Sequence, residues 1–368
     1  MDKVRIGIVG YGAMGSQHCG YLVKNTVQGG VLAAIADTDP KKLELASSRY
    51  GGAVKLFDSI DALIASKTCD AVIVAVPHYL HPDYAILAME SGLHVIVEKP
   101  AGVYTKQVKR MNEAAAQSSS VFAVMFNQRT NPLYKKMHEL VHSGELGAIK
   151  RTNWLITNWY RSQSYYDQGG WRATWAGEGG GVLLNQNPHN LDLWQWICGV
   201  PKRVRSVVYY GKHRDIEVED DVTAIVEYEN GASGCYITTV ADAPGTNRFE
   251  ISGENGKLVA EDNKLTFWRL RENEPSFNRR YKGGLGQPEV WKCDIPLKGN
   301  YTSHAGITQN FVNAILKGEA LITPGAEGIK GLEISNAIHL SSWTGGDWVD
   351  IPVDDELFYK MLMEKCKK

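Results

Sequence analysis

Short apolar runs alternate with helix-like segments over the first third of the chain. The runs are rich in Val, Ile and Ala and lack polar alternation, as strands buried on both faces require. They lie at Val4–Val9, Val31–Ala36, Ala71–Val76, His94–Val97 and Val121–Phe126. Helices are predicted to start near Met14, Pro40, Ser59, Pro82 and Thr105. This repetition predicts an α/β domain with a parallel, doubly wound sheet over residues 1–126.

After about Asn127 the apolar positions follow a different pattern. One helix is predicted over Pro132–His142, and alternating strands follow at Ile149–Tyr160, Val204–Tyr210, Val222–Tyr228, Ala232–Val240, Arg248–Ser252, Gly256–Ala260 and Leu265–Leu270. Tight-turn residues such as Glu229-Asn230-Gly231 join some of these strands. The pattern predicts an α+β domain over residues 127–368 with a large open, mostly antiparallel sheet. One face would meet solvent or a partner, and helices near Pro188–Ile197, His304–Leu316 and Ile329–Ser341 would cover the other. Glu272–Gln287 is predicted to be a long loop.

Composition narrows the function classes. The chain of 368 residues has 40 basic and 41 acidic side chains, a net charge of −1, and no basic cluster. This balance argues against nucleic acid or an anionic membrane as partner. The six cysteines are scattered without zinc-site spacing, so no metal site is predicted. Reduced thiols, and an N-terminus that runs straight into a strand, indicate a soluble cytoplasmic protein.

A glycine-rich turn follows the first predicted strand, with the sequence Gly10-Tyr11-Gly12-Ala13-Met14-Gly15. Glycines at this spacing between a strand and a helix permit a tight turn and bring backbone N–H groups close to a pyrophosphate. Asp37, at the end of the second strand, can accept hydrogen bonds from both ribose hydroxyls and would repel a 2′-phosphate. We therefore expect NAD as the cofactor, with NADP disfavoured. The alternative is a glycine turn that binds nothing.

Two histidines follow the fourth strand, in Val76-Pro77-His78 and at His81. This position falls at the carboxyl edge of the sheet, where such folds bind ligands. Pro77, His78 and His81 are therefore candidate cofactor contacts. The alternative is that His78 is a plain loop residue and His81 a helix-capping residue.

Glu98-Lys99-Pro100 ends the next strand at the same edge. A lysine placed there, desolvated by bound cofactor, can donate to a substrate hydroxyl and lower the pKa of that hydroxyl. Glu98 and Lys99 are also candidate cofactor contacts. A cis bond before Pro100 would fit this position. The alternative is a surface lysine paired with Glu98.

Nine Trp and Tyr side chains lie between Asn153 and Trp196, with Arg161 and Arg172 among them. Aromatic side chains with polar tips, next to arginines, suit the faces and hydroxyls of a sugar ring. Trp171, Arg172 and Trp175 lie in a predicted loop before three glycines and are candidate substrate contacts, together with Arg161. Trp154, Trp194 and Trp196 are predicted to be core residues.

Asn185 and His189 follow those three glycines. Asn187 can cap a helix that begins at Pro188, which places His189 in its first turn. A helix N-terminus disfavours the imidazolium, so His189 is expected to be neutral and able to accept a proton. Asn185 can hydrogen-bond a substrate hydroxyl but cannot act as a base. The alternative for His189 is a structural role in the helix start.

Together these residues resemble the glucose–fructose oxidoreductase/inositol dehydrogenase/rhizopine catabolism (Gfo/Idh/MocA) family. The best markers are Glu98-Lys99-Pro100 and the stretch Gly179–Asp192, GGGVLLNQNPHNLD. The resemblance implies an N-terminal Rossmann domain, a second domain whose open sheet commonly forms a dimer or tetramer interface, and a catalytic lysine and histidine at Lys99 and His189. Many inositol-dehydrogenase-like members have Asp where this chain has Asn185, which leaves His189 as the base and makes myo-inositol less secure as the substrate.

The predicted function is hydride transfer between NAD(H) and a secondary hydroxyl of a sugar, glycoside or cyclitol. His189 is the predicted base, Lys99 the proton donor, and Asn185 and Arg172 orient the other hydroxyls. Two alternatives remain at this point. An oxidative glycosidase would retain NAD and eliminate the glycosidic substituent, and a sensor would bind NAD without turnover.

Overall fold

A computed structural model describes residues 2–367 of the protein. Up to Thr130 the chain alternates strands and helices. The strands are β1 (Val4–Val9), β2 (Gly30–Ala36), β3 (Lys55–Phe57), β4 (Ala71–Val74), β5 (His94–Val97) and β6 (Phe122–Val124). The helices between them are α1 (Ala13–Val23), α2 (Pro40–Tyr50), α3 (Ile60–Ala65), α4 (His81–Glu90) and α5 (Thr105–Gln117). Sequence periodicity predicted every one of these elements except β3, whose three residues are too few to form a recognisable apolar run.

The rest of the chain is richer in strands. It contains the helices α6 (Pro132–His142), α7 (Gln163–Tyr166), α8 (Pro188–Cys198) and α9 (Glu274–Arg280), and a π-helical turn at Val182–Gln186. Its strands up to Tyr301 are β7 (Ile149–Ile156), β8 (Arg203–Tyr210), β9 (Glu219–Glu227), β10 (Ser233–Thr239), β11 (Asn247–Gly253), β12 (Gly256–Glu261), β13 (Lys264–Leu270) and β14 (Val290–Ile295). The last elements are α10 (Ser303–Lys317), α11 (Gly328–Trp343), β15 (Val349–Asp350) and α12 (Asp355–Lys365).

The first six strands form one parallel sheet in the order β3-β2-β1-β4-β5-β6. The strand order reverses at β1, so the chain ends of β1 and β4 flank the switch point at which such sheets bind ligands. The predicted doubly wound sheet is confirmed. Strands β1, β4, β5 and β6 are almost completely buried, which explains their continuous apolar sequences.

Helix α10 corrects one prediction. We expected it to cover the antiparallel sheet, but Ile307, Phe311 and Val312 are packed in the same apolar core as Ile6 and Ile8 of β1. The chain accordingly forms two compact units. The first contains the chain up to Thr130 and the segment Thr302–Leu332. The second contains Asn131–Tyr301 and the chain from Glu333 onward. A division of the chain at residue 126 does not include the later segment Thr302–Leu332 in the first unit. Amphipathic periodicity shows that a helix has a buried face, but it does not show which sheet buries that face.

The second unit contains a nine-stranded sheet in the order β14-β13-β12-β11-β7-β10-β9-β8-β15. Every neighbouring pair is antiparallel except β7 and β10. One face is buried through Trp154, Tyr236 and Phe249, while Val207 and Ile225 on the other face are about half exposed, at 55% and 47%. The expected open sheet is confirmed.

The segment Glu272–Gln287 contains the short helix α9 rather than loop alone, and β14 and β15 were not predicted. Across residues 2–367, no helix combines the length and the apolarity that crossing a bilayer requires.

Candidate active site

The glycine turn joins β1 to α1 at the carboxyl edge of the parallel sheet. Gly10 has φ of +93°, a conformation that glycine tolerates best. A Cβ on Gly15 would lie 1.9 Å from the carbonyl oxygen of Gly10, so only glycine lets α1 approach the turn this closely. A Cβ on Gly12 would meet nothing within 4 Å, which leaves space beside the start of α1, at Ala13 and Met14. The first N–H groups of a helix lack intrahelical acceptors, so this space suits a pyrophosphate.

Asp37 lies directly beside the turn. Its Oδ2 accepts the backbone N–H of Tyr11 at 2.7 Å, and its Oδ1 accepts the N–H of Asp39 at 2.9 Å. The Tyr11 side chain is buried, and its hydroxyl donates to that of Tyr50 at 3.3 Å. The turn and its carboxylate therefore fit a dinucleotide whose ribose meets Asp37.

His78 and His81, the two histidines after β4, are both buried. His78 opens a short 3₁₀ turn after Pro77 and is buried. His81, the first residue of α4, is 1% exposed, and its ring nitrogens lie 2.7 Å from the Pro100 carbonyl oxygen and 2.8 Å from that of Val76. Burial lowers the pKa of His81, partly opposed by those carbonyls. His81 therefore connects the turn after β4 to the chain after β5 and does not cap α4 with its side chain, and its contact with the cofactor stays a prediction.

Glu98 and Lys99 follow β5, and the peptide bond between Lys99 and Pro100 is cis, as expected. Glu98 is 3% exposed. Its Oε1 lies 2.7 Å from Nε2 of His18, and its Oε2 accepts the backbone N–H of Lys99 at 3.1 Å. Burial alone would raise the pKa of Glu98, but the hydrogen bond and charge of His18, with His304 and Lys99, lower it to about 2. Glu98 is therefore a buried carboxylate held by His18.

This contact belongs to a buried polar chain that sequence reasoning missed. Nδ1 of His18 lies 2.6 Å from the Tyr21 hydroxyl, which in turn lies 2.7 Å from the hydroxyl of Thr308 on α10. The His304 ring is 5.9 Å from that of His18. The one sequence feature that could have indicated this chain is His18 itself, a histidine within α1, the helix that starts in the glycine motif. Tyr21 and Thr308 are 287 residues apart in sequence, so no local pattern could have connected them.

In the second unit, Asn185 lies within the π-helical turn Val182–Gln186, and His189 is the second residue of α8. Single π-helical turns are rare and are frequent at functional sites. Asn187 does not cap α8 as predicted. Its side chain donates to the Thr238 hydroxyl instead, because the π-helical turn leaves Asn187 in a non-capping backbone conformation.

A buried carboxylate on β9 holds the start of the π-helical turn. Oε2 and Oε1 of Glu219 accept the backbone N–H groups of Gly181 and Leu183, at 2.8 and 2.9 Å. Burial raises the pKa of Glu219 to about 7, although these two donors partly oppose the shift. His339 of α11 lies 3.6 Å from the same carboxylate, and burial lowers its pKa to about 3. A Cβ on Gly181 would lie 2.1 Å from the Glu219 carbonyl oxygen, so the glycine is required for this close approach.

The predicted substrate contacts divide into two groups. Trp175 is buried, with ring centroids of Tyr210, His339 and Trp343 within 5.7 Å, so it packs inside the second unit, and its contact with substrate stays a prediction. Trp171 is 39% exposed. The Arg172 guanidinium lies over the rings of Trp171 and Tyr165, at 4.9 and 4.8 Å, because the short loop brings these rings together.

Arg161 also lies over the Tyr165 ring, at 5.1 Å. Within residues 2–367, neither Arg161 nor Arg172 comes within ion-pair distance of a carboxylate. Both guanidinium groups are therefore held by aromatic rings rather than by opposite charges.

The three tryptophans predicted to be core residues differ in burial. Trp154 and Trp194 are 1% and 0% exposed, which confirms the prediction for both. Trp196 is only partly buried and stacks on the ring of His138, with centroids 4.0 Å apart. It lies on α8 at the border of the core, because the helix turns this position toward α6.

Comparison with known proteins identifies the family. Residues 4–126 match the model described as oxidoreductase family, NAD-binding Rossmann fold, and residues 134–259 match the GFO/IDH/MocA C-terminal domain. The two matches together span more than half of the chain. The chain belongs to the GFO/IDH/MocA family. The resemblance seen in the sequence is thereby confirmed, and this oxidoreductase has the NAD-binding domain that its glycine turn indicated.

Several relatives are similar over much of this oxidoreductase. Levoglucosan dehydrogenase of Pseudarthrobacter phenanthrenivorans is 24% identical, over 96% of this chain and 99% of its own. Inositol 2-dehydrogenase of Corynebacterium glutamicum is 29% identical over 62% of this chain and 65% of its own. Among solved structures, the WlbA dehydrogenase from Bordetella pertussis in complex with NADH and UDP-GlcNAcA has a TM-score of 0.81, with 27% identity over 96% of this chain and 100% of that one.

Proposed function

We propose that this oxidoreductase transfers hydride between NAD(H) and a secondary hydroxyl of a sugar, glycoside or cyclitol. The observation that carries the proposal is the setting of Lys99. It follows β5 at the same sheet edge as the glycine turn, and its backbone N–H is held by the buried carboxylate of Glu98. The substrate class is supported by the relatives, which are named levoglucosan and inositol dehydrogenases.

Bound NAD supplies the hydride acceptor. In the oxidative direction His189 takes the hydroxyl proton, and the electron pair of the C–H bond leaves as hydride while the carbonyl forms. Lys99 donates a hydrogen bond to the developing alkoxide and so lowers the pKa of the hydroxyl. Asn185 and Arg172 hydrogen-bond the neighbouring hydroxyls, with Arg161 and Trp171 flanking the ring. Asp37 accepts the adenosine ribose hydroxyls, and its charge favours NAD over NADP.

The test is to incubate the protein with NAD⁺ and a panel of cyclitols, free pyranoses and glycosides, following NADH absorbance and aglycone release together. We expect NADH formation, and a loss of about 100-fold or more in kcat/KM for His189→Ala and Lys99→Ala. His213→Ala, which changes a partly exposed histidine of the second unit, serves as a matched control with unchanged rates.

The same assay separates the alternatives. Aglycone release without net NADH would replace the dehydrogenase with the NAD-retaining glycosidase. Cofactor binding without turnover, unaffected by either alanine variant, would replace it with the sensor.

We also propose that the exposed face of the nine-stranded sheet pairs two copies of the chain in a homodimer or homotetramer. The half-exposed apolar side chains Val207, Tyr209 and Ile225 support this, since a solvated face does not need them. The test is the molar mass in solution, measured by light scattering, of Ile225→Lys against that of the unmodified protein.

The cytoplasmic location stays a proposal. It is supported by the scattered cysteines and tested by cell fractionation.

A further inference from the structure

Glu178 is a buried carboxylate that connects two segments of the candidate site. It directly precedes the three glycines and is 1% exposed. One oxygen, Oε2, accepts the backbone N–H of Ala173 at 2.7 Å, and the other accepts the side-chain amide Nδ2 of Asn185. Glu178 therefore joins the loop that carries Arg172 to the π-helical turn that carries Asn185.

The Ala173 contact is a built feature of the loop. Ala173 has φ of +54°, a left-handed conformation that is uncommon for a residue other than glycine. Its carbonyl oxygen accepts the N–H of Glu217 at 3.2 Å, so both of its backbone polar groups are engaged. A conformation of this kind persists only where its surroundings hold it in place, and the Glu178 carboxylate is one of those constraints.

The Asn185 contact fixes the orientation of the amide. An ionised carboxylate only accepts hydrogen bonds, so Asn185 must turn its Nδ2 toward Glu178. The same Nδ2 lies 3.4 Å from the Tyr165 hydroxyl, which also receives an N–H of Arg172 at 2.9 Å. Both contacts are made by the amide nitrogen, and the amide oxygen is therefore directed away from Glu178.

We propose that Glu178 is a positioning residue that orients the Asn185 amide toward substrate and makes asparagine, rather than aspartate, the side chain required at position 185. This inference rests on the proposed function only in taking Asn185 to contact the substrate. An aspartate at 185 would set two carboxylates against each other in a buried site. One of them would have to bind a proton to replace the N–H that Asn185 now donates.

Other charged and titratable groups surround this pair. Tyr165 and Tyr166 lie on α7, Arg161 precedes that helix, and Glu219 lies on β9. Glu178 is among the groups that raise the pKa of Glu219, so two buried carboxylates flank the glycines between them. A third carboxylate, at position 185, would add to this negative charge. Arg161 and Arg172 are too few to compensate for it, so an ionised Asp at position 185 would destabilise the folded protein at neutral pH.

A charge exchange between the two positions tests the proposal. We would compare the unmodified protein with Glu178→Gln, Asn185→Asp and the double variant, measuring kcat and KM as a function of pH. Asn158→Asp, at an exposed position of the same unit, is the control for adding a carboxylate and should leave the rates unchanged.

We expect Asn185→Asp to lose about 100-fold in kcat/KM at pH 8, mainly in kcat, because a substrate whose neighbouring hydroxyls are misplaced presents its reacting hydroxyl poorly to His189. Relative to the unmodified protein, its activity should rise as the pH falls, since the shared proton then binds. In the double variant the new amide at position 178 donates to the new carboxylate at position 185, and kcat/KM should return to within about 10-fold of the unmodified value. Asn185→Asp with unmodified rates and pH profile, or a double variant whose loss equals the product of the single losses, would overturn the proposal.

A stability cycle on the same four proteins does not depend on activity. Asn185→Asp should lower the Tm at pH 8 more than the double variant does, and this deficit should shrink as the pH falls. If no sugar in the panel is turned over, the proposed function fails while this cycle still tests the Glu178–Asn185 pair. If the double variant is no more stable than Asn185→Asp, or if both variants fail to fold, the charges at positions 178 and 185 are not coupled and the proposal is overturned.

Discussion

Adjacent residues at the end of β5 have opposite environments. Glu98 is buried against His18, whereas Lys99 is half-buried at the carboxyl edge of the sheet. Burial of a carboxylate is unfavourable unless hydrogen bonds compensate, and here the ring of His18 and the backbone N–H of Lys99 supply them. The Glu98 carboxylate therefore holds the backbone from which Lys99 extends, and a direct contact of Glu98 with the cofactor stays a prediction.

The buried Glu98 predicts a specific pH dependence of stability. Its folded-state pKa of about 2 is below the ordinary 4.5, so the ionised form stabilises the fold above pH 4.5, and this contribution is lost as the pH falls toward 2. Glu98→Gln should be less stable than the unmodified protein by about 3 kcal/mol at pH 7, with the difference shrinking below pH 4.5. Denaturant unfolding at a series of pH values measures it.

Glu113→Gln, at an exposed position of α5, is the control and should follow the unmodified curve throughout. A Glu98→Gln deficit that stays constant from pH 7 to pH 3 would contradict the buried, ionised carboxylate.

Among the helices, α1 carries the proposed cofactor site because it starts against β1. The approach is so close that a single methyl group on Gly15 would overlap the Gly10 carbonyl oxygen. The same helix contains a second glycine, Gly20, at which a Cβ would meet nothing within 4 Å. One helix therefore offers both a glycine required by packing and one that is not.

This pair yields a matched prediction. Gly15→Ala should destabilise the protein by about 1–3 kcal/mol and weaken NADH binding, because the start of α1 must move away from the turn. Gly20→Ala should instead stabilise it by about 0.5–1 kcal/mol, since alanine favours a helix interior. Thermal unfolding and NADH titration of both variants measure these effects. Equal behaviour of the two would exclude close packing as the reason for the glycine at position 15.

At the scale of the whole molecule, the NAD-binding unit is completed by a segment from near the other end of the chain. Phe311 on α10 is fully buried in the core formed by β1 and its neighbours, and Thr308 completes the hydrogen-bond chain to His18. The cofactor-binding unit therefore depends on residues that follow nearly the entire nine-stranded sheet in sequence.

Phe311→Ala should destabilise the protein by about 3–5 kcal/mol and reduce the Tm increase that NADH produces, because it opens a cavity in the core of the cofactor-binding unit. Leu357→Ala on α12, where the side chain is 40% exposed, should change stability by less than about 0.5 kcal/mol. Scanning calorimetry with and without NADH checks both variants. Unimpaired NADH stabilisation in Phe311→Ala would mean that α10 is dispensable for the cofactor site.

Local pattern predicted most elements because their periodicity is strong. The strands Val4–Val9 and His94–Val97 and the helix Pro132–His142 have the predicted bounds. Strands β3 and β15 are too short to have a period, and β14 is largely exposed along its length, so it lacks the apolar face that marks a strand. Asn187 matched a helix cap by residue type, but the π-helical turn before it has no sequence signature.

The order of residues along the chain was sufficient for the fold class, the glycine turn and the family, because each depends on short-range spacing: the alternation of strands and helices, three glycines, and Glu98-Lys99-Pro100. The order of residues did not reveal which groups the buried charges contact. That Glu98 meets His18 and that α10 packs on the first sheet both follow from which apolar faces are buried together. Such long-range pairing removes apolar surface of the whole chain from water, and no local segment of sequence contains that information.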